Sequence, residues 1–151
     1  MKNRAARSKR QGGSTMIEFA LSFGFLFSVF AGVFQFGYAY FVYNTLENAV
    51  RSGARYASLR VYDSATSTPS AGYLTAVKNM VVSGSPEGGV QPVAPGLTPA
   101  KVSVTVTMER NVPRKVTVSI VNYSINAVVT SFQLNGKPKL TFAYVGRFAP
   151  P

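Results

Sequence analysis

The sequence predicts an α+β protein in which a long N-terminal transmembrane and stalk helix packs against a small antiparallel β-sheet. Three observations support this fold class. An apolar run near the N-terminus is long enough to span a membrane, and it continues without a break into an amphipathic helical pattern. Late in the chain, apolar and polar residues alternate as they do in half-buried strands. We therefore divide the chain into a basic leader (1–13), a transmembrane and stalk helix (14–60) and an exported α+β domain (61–151).

The leader is strongly basic. It carries five of the 16 Lys and Arg residues and none of the 5 Asp and Glu residues, in a chain whose formal net charge is +11. A basic arm directly before a membrane span favours a cytoplasmic N-terminus, with nucleic-acid binding as the alternative. Because the other basic residues are dispersed singly or in pairs, we expect no nucleic-acid partner.

The apolar run from Ile17 to Gly37 has the length of one membrane span. Its 21 residues would extend about 31 Å as a helix, against a hydrocarbon core of about 30 Å. A cleaved secretory signal has a shorter apolar stretch, of about 7–15 residues. Tyr38, Tyr40 and Tyr43 then largely replace phenylalanine, as expected where rings reach the lipid headgroups. These features predict a single-pass protein in contact with membrane lipid.

Small residues recur at every fourth position of this run. Ala20, Gly24, Ser28 and Gly32 would lie close to one helix face and allow another helix to approach. Glycine and alanine are also common in membrane helices generally. The pattern alone therefore leaves helix packing and simple composition as two explanations.

The helical pattern continues beyond the apolar run. No proline interrupts residues 14–68. Helical spacing is followed by a stripe of small and apolar residues: Leu46, Ala49, Val50, Gly53, Ala54 and Ala57. We expect one helix from about Ser14 to Ser58, whose small-residue stripe accepts a folded domain. A second, short amphipathic helix is predicted from Tyr73 to Val82, followed by a Gly- and Pro-rich loop that extends to Pro99.

The C-terminal third predicts an antiparallel meander with one face covered by the stalk helix. Its segments are Val102–Glu109, Lys115–Tyr123 and Leu140–Val145, with a turn at Asn111–Pro113. Residues 124–132 are compatible with either a strand or a helical turn.

Residue types that commonly carry catalysis are missing or scattered. The chain has no cysteine, histidine or tryptophan, which excludes disulfides, thiolate and imidazole metal sites and histidine catalysis. Asp63, Glu87 and Glu109, the acids after the stalk, form no evident pair or calcium site. Spacing leaves a Ser–Lys nucleophile pair open, but no pattern supports one. We predict no enzyme, no cofactor and no metal.

Glu18 is the acid that stands out. It lies at the mouth of the apolar run, and no charged residue follows it until Glu47. A carboxylate at a membrane edge costs free energy unless it has a partner, so it indicates a functional site. A simple uncleaved anchor would explain the apolar run and the basic leader, but neither Glu18 nor the glycine pair Gly12–Gly13.

Two motifs carry a resemblance to a known family. Gly13 followed by Ser14-Thr15-Met16-Ile17-Glu18-Phe19 resembles the prepilin cleavage motif of type IV pilin-like proteins, and in particular the Tad (tight adherence) group, where an aromatic follows the acid. The segment from Asn44 to Ala57 resembles the second half of the TadE-like motif, including its ending Ala54-Arg55-Tyr56-Ala57. The resemblance implies a pilin-like fold.

The resemblance also implies processing. A membrane aspartyl prepilin peptidase would cut on the cytoplasmic side after Gly13, so that Ser14 becomes the N-terminus and Glu18 the fifth residue. Gly12 offers a competing cut. By analogy with the family, Glu18, followed by Phe19, would dock by pairing its carboxylate with the free amine of a neighbouring subunit during assembly.

The sequence thus indicates a processed minor pilin or pseudopilin of a Tad-type pilus used in surface adherence. Its implied partners are the prepilin peptidase, other pilins or pseudopilins and the inner-membrane pilus platform. The C-terminal domain would be periplasmic or extracellular. One alternative is an unprocessed single-pass scaffold or assembly protein with a periplasmic domain, and another is a membrane-tethered enzyme or ligand-binding module.

Overall fold

A computed structural model describes residues 12–127 and 130–150. Helix α1 covers Gly12–Leu59 and helix α2 covers Ala71–Ser83, followed by a short 3-10 helix at Pro99–Lys101. The strands are β1 (Val102–Glu109), β2 (Val112–Ile120), β3 (Tyr123–Asn126), β4 (Ser131–Leu134) and β5 (Lys139–Ala143). The chain divides into two compact units, one that ends at Gly37 and one that begins at Tyr38. This arrangement confirms the predicted α+β class.

In the first unit, α1 is a single helix whose side chains are mostly exposed, although Gln35 is buried. It is long and apolar enough to cross a membrane, with a mean hydropathy of 1.9 over its most apolar window. Large apolar side chains remain exposed along it, from Met16 and Ile17 to Phe36. In water such a surface would be unfavourable, and its length matches a membrane core.

In the second unit, α1 supplies one wall of the hydrophobic core. The predicted stripe is buried: Leu46, Val50, Ala54 and Ala57 are wholly inaccessible and belong to the same buried cluster as the inward residues of the sheet. Their helical spacing places them on one face. The predicted stalk helix, from Ser14 to Ser58, therefore agrees with α1 to within two residues at its start and one at its end.

The main sheet has three antiparallel strands in the order β1–β2–β5. Val116, Val118 and Ile120 of β2 face the core and are wholly buried, and intervening residues face outward. The β1–β2 turn lies at Arg110 and Asn111, whose φ angles are 52° and 59°. Two consecutive residues with positive φ make the tight hairpin turn that matches the twist of paired strands. The predicted turn at Asn111–Pro113 is thus displaced, because Val112 and Pro113 already belong to β2.

The segment that the sequence left open forms a second, two-stranded sheet. Strands β3 and β4 pair antiparallel, with Tyr123 opposite Leu134 and Asn126 opposite Ser131. Tyr123 and Ile125 face the core. The simple predicted meander is therefore interrupted, because this hairpin lies in the chain between β2 and β5.

Helix α2 forms where predicted and has well-defined ends. The Ser70 hydroxyl accepts a hydrogen bond from the Tyr73 amide at 3.1 Å, which caps the N-terminus. Gly84, with φ of 75°, ends the helix in the left-handed conformation that glycine adopts without strain. Tyr73, Val77 and Val81 turn into the core.

Candidate assembly site

Glu18 lies on the exposed part of α1, one helical turn after Ser14. The Ser14 hydroxyl donates a hydrogen bond to Glu18 Oε1 at 3.2 Å, and both residues are exposed. Within the described part of the chain, Glu18 forms no ion pair. A serine hydroxyl carries no charge, so this contact does not neutralise a carboxylate.

Gly13 and Ser14, the predicted cleavage pair, also lie on α1 and are exposed. A side chain at Gly13 would meet no atom within 4 Å. The basic residues of the predicted leader lie in residues 1–11, outside the described residues. Nothing in the described chain covers the peptide bond between Gly13 and Ser14.

Phe19 begins a ladder of rings on the same helix. The ring centroids of Phe19 and Phe23 are 6.0 Å apart, and those of Phe23 and Phe27 are 6.1 Å apart. The three side chains are 66%, 56% and 59% exposed. The ladder is therefore preformed and open to lipid or to another helix.

The four small residues leave space beside the helix. A side chain added at Gly24 or Gly32 would meet nothing within 4 Å. Ala20 and Ser28 are exposed, and the Ser28 hydroxyl donates to the Gly24 carbonyl at 2.8 Å, so it needs no partner elsewhere. This surface can accept a second helix at close range.

The Ala54-Arg55-Tyr56-Ala57 motif divides between core and surface. Ala54 and Ala57 are wholly buried, whereas Arg55 is exposed and Tyr56 is half-buried. The Tyr56 hydroxyl accepts a hydrogen bond from Arg60 Nη1, and the guanidinium carbon of Arg60 lies 5.7 Å from the centre of the Tyr56 ring. The two alanines thus act in packing, and Arg55 is the member of the motif that faces outward.

The C-terminal segment holds the end of α1. The amides of Val145 and Gly146 donate to the Ser58 carbonyl at 3.0 and 2.9 Å. The Tyr73 hydroxyl donates to the Ala57 carbonyl from helix α2. The last carbonyls of a helix have no partner within it, so these contacts fix the end of α1 to both α2 and the C-terminal segment.

A cluster of aromatic rings lies beside this helix end. Tyr62 is wholly buried, with ring centroids 5.3 Å from Tyr73, 6.2 Å from Tyr144 and 6.3 Å from Phe148. The Tyr144 hydroxyl donates to the Arg60 carbonyl at 2.8 Å and accepts from the Tyr62 amide at 2.9 Å. Burial raises the pKa of Tyr62, Tyr73 and Tyr144 above the usual value, because it disfavours phenolate.

Two glycines make these contacts possible. A side chain at Gly53 would overlap Val81 Cγ2, where α1 meets α2. One at Gly146 would lie 2.6 Å from the Arg60 carbonyl oxygen and 2.8 Å from that of Leu59. Sequence reasoning placed Gly53 in the packed stripe. It missed Gly146 and the aromatic cluster, because these residues follow no periodic pattern.

The described residues contain no group of three or more His, Cys, Asp or Glu side chains that could hold a metal ion. The absence of enzyme activity stays a prediction from the sequence. The arrangement of α1 offers an isolated carboxylate, an exposed apolar surface and a close-approach face, which together suit association with other helices in a membrane.

Comparison with known proteins gives one finding. Residues 13–55 match the model of the family described as TadE-like protein. The match begins at the predicted cleavage glycine and ends at Arg55. No curated protein and no solved structure shows significant similarity to the chain.

Proposed function

We propose that this chain, which belongs to the TadE-like family by its residues 13–55, is a minor pilin or pseudopilin processed by a prepilin peptidase. The family assignment makes it a Tad pilus-associated protein. In this proposal it takes part in assembly of a Tad-type pilus for surface adherence, and it acts without a cofactor or catalytic activity.

The observation that carries the proposal is Glu18. Its carboxylate is exposed at the start of an apolar helix, with the Ser14 hydroxyl as its contact at 3.2 Å. An ionised acid at the membrane edge is stabilised by a cation, and processing after Gly13 would create one, the amine of Ser14. Because the acid and the new amine would belong to the same helix turn, each subunit could offer one to a neighbour and receive the other.

The exposed surface of α1 supports a role in assembly. Above Glu18, the Phe19–Phe27 ladder presents a large apolar area, and Gly24 and Gly32 leave space for another helix. In a membrane, lipid covers this surface; in a filament, neighbouring helices would cover it. The packing contacts made there favour association even though lipid tails are equally apolar.

The proposed location follows from the same helix. Residues 14–60 would anchor the protein in the inner membrane by a single span, with a cytoplasmic N-terminus and residues 61–151 on the periplasmic or extracellular side. The proposed partners are the prepilin peptidase, other pilins or pseudopilins, the inner-membrane platform and membrane lipid.

Processing is tested by the intact mass and N-terminal sequence of the protein extracted from membranes of cells with an active peptidase. We expect a mature chain that starts at Ser14. Gly13→Leu should block this cut, whereas the matched variant Gly12→Leu should leave it unchanged. A chain that still starts at Met1 would contradict processing, and one that starts at Gly13 would move the cut to Gly12.

The role of Glu18 is tested separately by copurification with other pilins. We expect Glu18→Ala and the isosteric Glu18→Gln to be cleaved normally but to lose copurification, because both remove the negative charge. Glu18→Asp, which keeps the negative charge, should retain part of the copurification. Ser14→Ala is the control for the intrahelical hydrogen bond. If Glu18→Gln assembled as well as the unaltered protein, the carboxylate would have no part in assembly.

One observation favours the alternative, an unprocessed scaffold with a periplasmic domain. The peptide bond between Gly13 and Ser14 lies within helix α1, and a peptidase would have to unwind it. Two glycines lower that cost, since each destabilises a helix by about 0.5–1 kcal/mol relative to alanine. The N-terminal sequence described above distinguishes the two functions.

A further inference from the structure

A groove with basic and apolar walls runs beside the last two turns of α1. Its volume is about 590 Å³, and it lies between the helix and strand β5, one of the two edge strands of the main sheet. Its principal lining residues are Arg51, Arg55, Leu59, Phe142, Ala143 and Val145. None of the functions described above uses this groove.

The groove has the chemistry of a recognition site for an acid next to an apolar side chain. Arg55 is exposed, and its side chain has no hydrogen-bond or ion-pair partner among the described residues. Leu59 is 57% exposed and Val145 is 69% exposed, so an apolar surface lies beside the guanidinium. Arg51 adds a second cation, which holds Glu47 at 3.1 Å.

A loop of the same chain carries the complementary groups. The loop that follows α2, residues 84–93, presents the exposed Glu87 and a completely exposed Val90. Backbone hydrogen bonds hold it in place: the Gly88 amide donates to the Ser85 carbonyl at 3.1 Å, and the Val93 amide donates to the Val82 carbonyl at 2.8 Å. Because the loop is tied at both ends, docking would cost little conformational entropy.

Within the described second unit, Glu87 is also the carboxylate that has no partner of its own and can pair with a cation of another copy. Glu47 pairs with Arg51, the Ser70 hydroxyl donates to Asp63 at 2.8 Å, and Glu109 lies 3.6 Å from Arg114. Among the described residues of the second unit, Glu87 is the one carboxylate without such a partner. That unit has eleven basic and four acidic residues, so two copies repel each other, and an acid in their contact would offset part of that repulsion.

The groove and the cavity at the start of the loop both border α1, and Ser52 lines the two of them. Gly84, where the loop begins, lines a cavity with Thr45 and Asn48 on the α2 side of the helix. The Arg55 groove lies on the β5 side. Arg55 also lines a pocket with Met80 of α2, yet Glu87 and Arg55 form no ion pair within one copy. Two complementary surfaces that stay unpaired in one copy can pair between copies.

We propose that the groove beside β5 binds the Glu87–Val90 loop of a second copy of this chain, with Glu87 paired to Arg55 and Val90 against Leu59 and Val145. This inference deepens the proposed assembly function, on which it rests for the occupant, by naming a contact outside the membrane.

The test uses the absence of cysteine from the chain. Full-length Arg55→Cys and Glu87→Cys variants are given different tags, coexpressed and oxidised in isolated membranes. We expect a disulfide-linked dimer that carries both tags, at least about fivefold more abundant than with the control pair of Arg55→Cys and Glu109→Cys. Only a contact between copies yields both tags, so a bond within one chain cannot mimic the result.

Three outcomes would overturn the proposal. These are the absence of a mixed dimer, an equal yield with the Glu109→Cys control, and a crosslink of Arg55→Cys mainly to itself or to a different protein. A charge exchange gives a second measurement: Arg55→Glu and Glu87→Arg should each reduce copurification of the two tagged copies, and the double variant should restore it.

The N-terminal sequence is read from the same membranes. A mixed dimer of chains that start at Met1 would leave the groove contact standing and remove processing. Processed chains that form no mixed dimer would leave processing standing and remove the groove contact. The two proposals therefore fail separately.

Discussion

The two halves of α1 contain similar residues but meet different surroundings. Up to Gly37, a side chain added at Gly13, Gly24 or Gly32 would meet no atom within 4 Å. In the second half, one added at Gly53 would overlap Val81 of α2. The same residue type leaves a surface open in one half and makes a close helix contact possible in the other.

The hydrogen-bond partners of polar groups also differ between the first half of α1 and the end of its second half. Ser28 donates to Gly24 within its own helix, and Glu18 is contacted by Ser14 four residues away. At the end of the second half, the carbonyls of Ala57 and Ser58 instead accept hydrogen bonds from Tyr73, Val145 and Gly146. These hydrogen bonds of the first half stay within the helix, whereas the end of the second half is held by other segments of the chain.

The largest expected effect is that of Gly53→Leu. The new side chain would overlap the buried Val81, and we expect it to destabilise the second unit by about 3 kcal/mol. Thermal unfolding of the detergent-solubilised protein, followed by near-UV circular dichroism of the tyrosines, measures this. Gly24→Leu is the matched control, and it should leave the unfolding temperature unchanged. Equal effects of the two substitutions would refute the contrast between the two halves.

Gly146→Ala tests how the C-terminal segment holds the end of α1. The new methyl group would lie within 2.8 Å of two backbone oxygens, those of Arg60 and Leu59. We expect the free energy of unfolding to fall by about 2 kcal/mol, as is typical when an overpacked site must shift. Gly72→Ala, in α2, is the control because nothing lies within 4 Å of that position. Both variants are compared by chemical denaturation, and an unaffected Gly146→Ala would mean that the C-terminal segment does not hold the helix end.

Tyr73→Phe removes the hydroxyl that binds the Ala57 carbonyl, and we expect it to cost about 1 kcal/mol at neutral pH. It should also change the pH dependence of stability. Burial raises the pKa of Tyr62, Tyr73, Tyr123 and Tyr144 above the usual 10.0. Above pH 10 the unfolded chain therefore loses these protons before the folded chain does, so stability is fully present below pH 10 and falls as the pH rises beyond it.

Unfolding measured from pH 8 to 12 checks this dependence. The Tyr73→Phe variant should start lower but lose stability less steeply above pH 10, because one of the four tyrosines with a raised pKa is gone. Tyr40→Phe, at an exposed position, serves as the control and should follow the unaltered protein. If the Tyr73→Phe variant lost stability above pH 10 as steeply as the unaltered protein, folding would not hold the Tyr73 hydroxyl in its protonated form.

The smallest expected effect is that of Arg51→Gln, on the outward face of the second half. Arg51 and Glu47 pair at 3.1 Å, but their side chains are 58% and 37% exposed. Exposed pairs at this spacing contribute about 0.3–0.5 kcal/mol. Denaturation in low and high salt measures the difference in stability between Arg51→Gln and the unaltered protein. This difference should shrink as the salt concentration increases. A loss comparable to that of Gly53→Leu would mean that the polar face, and not the buried stripe, holds the second half in place.

Local patterns made much of the fold predictable. The spacing of Leu46, Val50, Ala54 and Ala57 predicted the buried face of α1, and alternation predicted the strands that became β1, β2 and β5. Glu18 could be recognised because a single acid in an apolar run is conspicuous. Its assembly role, the cut after Gly13 and the packing of the small residues stay predictions, because each concerns a second molecule.

Other features depend on residues far apart in the chain. The sequence predicted a turn at Asn111–Pro113, but pairing of Glu109 with Val112 places it at Arg110 and Asn111. Residues 124–132 showed no decisive period, and the pairing of β3 with β4 decided their structure. Likewise, no local pattern indicated that Tyr144 and Gly146 would meet the end of α1.

The sequence by itself determined that the chain has an apolar helix of membrane length, a basic N-terminal arm, an acid at the start of the apolar run and a helical stripe followed by alternating strands. Hydrophobic periodicity and charge placement are properties of neighbouring residues, and these can be read along the chain. Only the tertiary structure decided how α1 ends, why Gly53 and Gly146 must be small, and where the Arg55 groove and the Glu87 loop lie. These depend on distances between residues that are separated by tens of positions and are brought together by burial of a shared core.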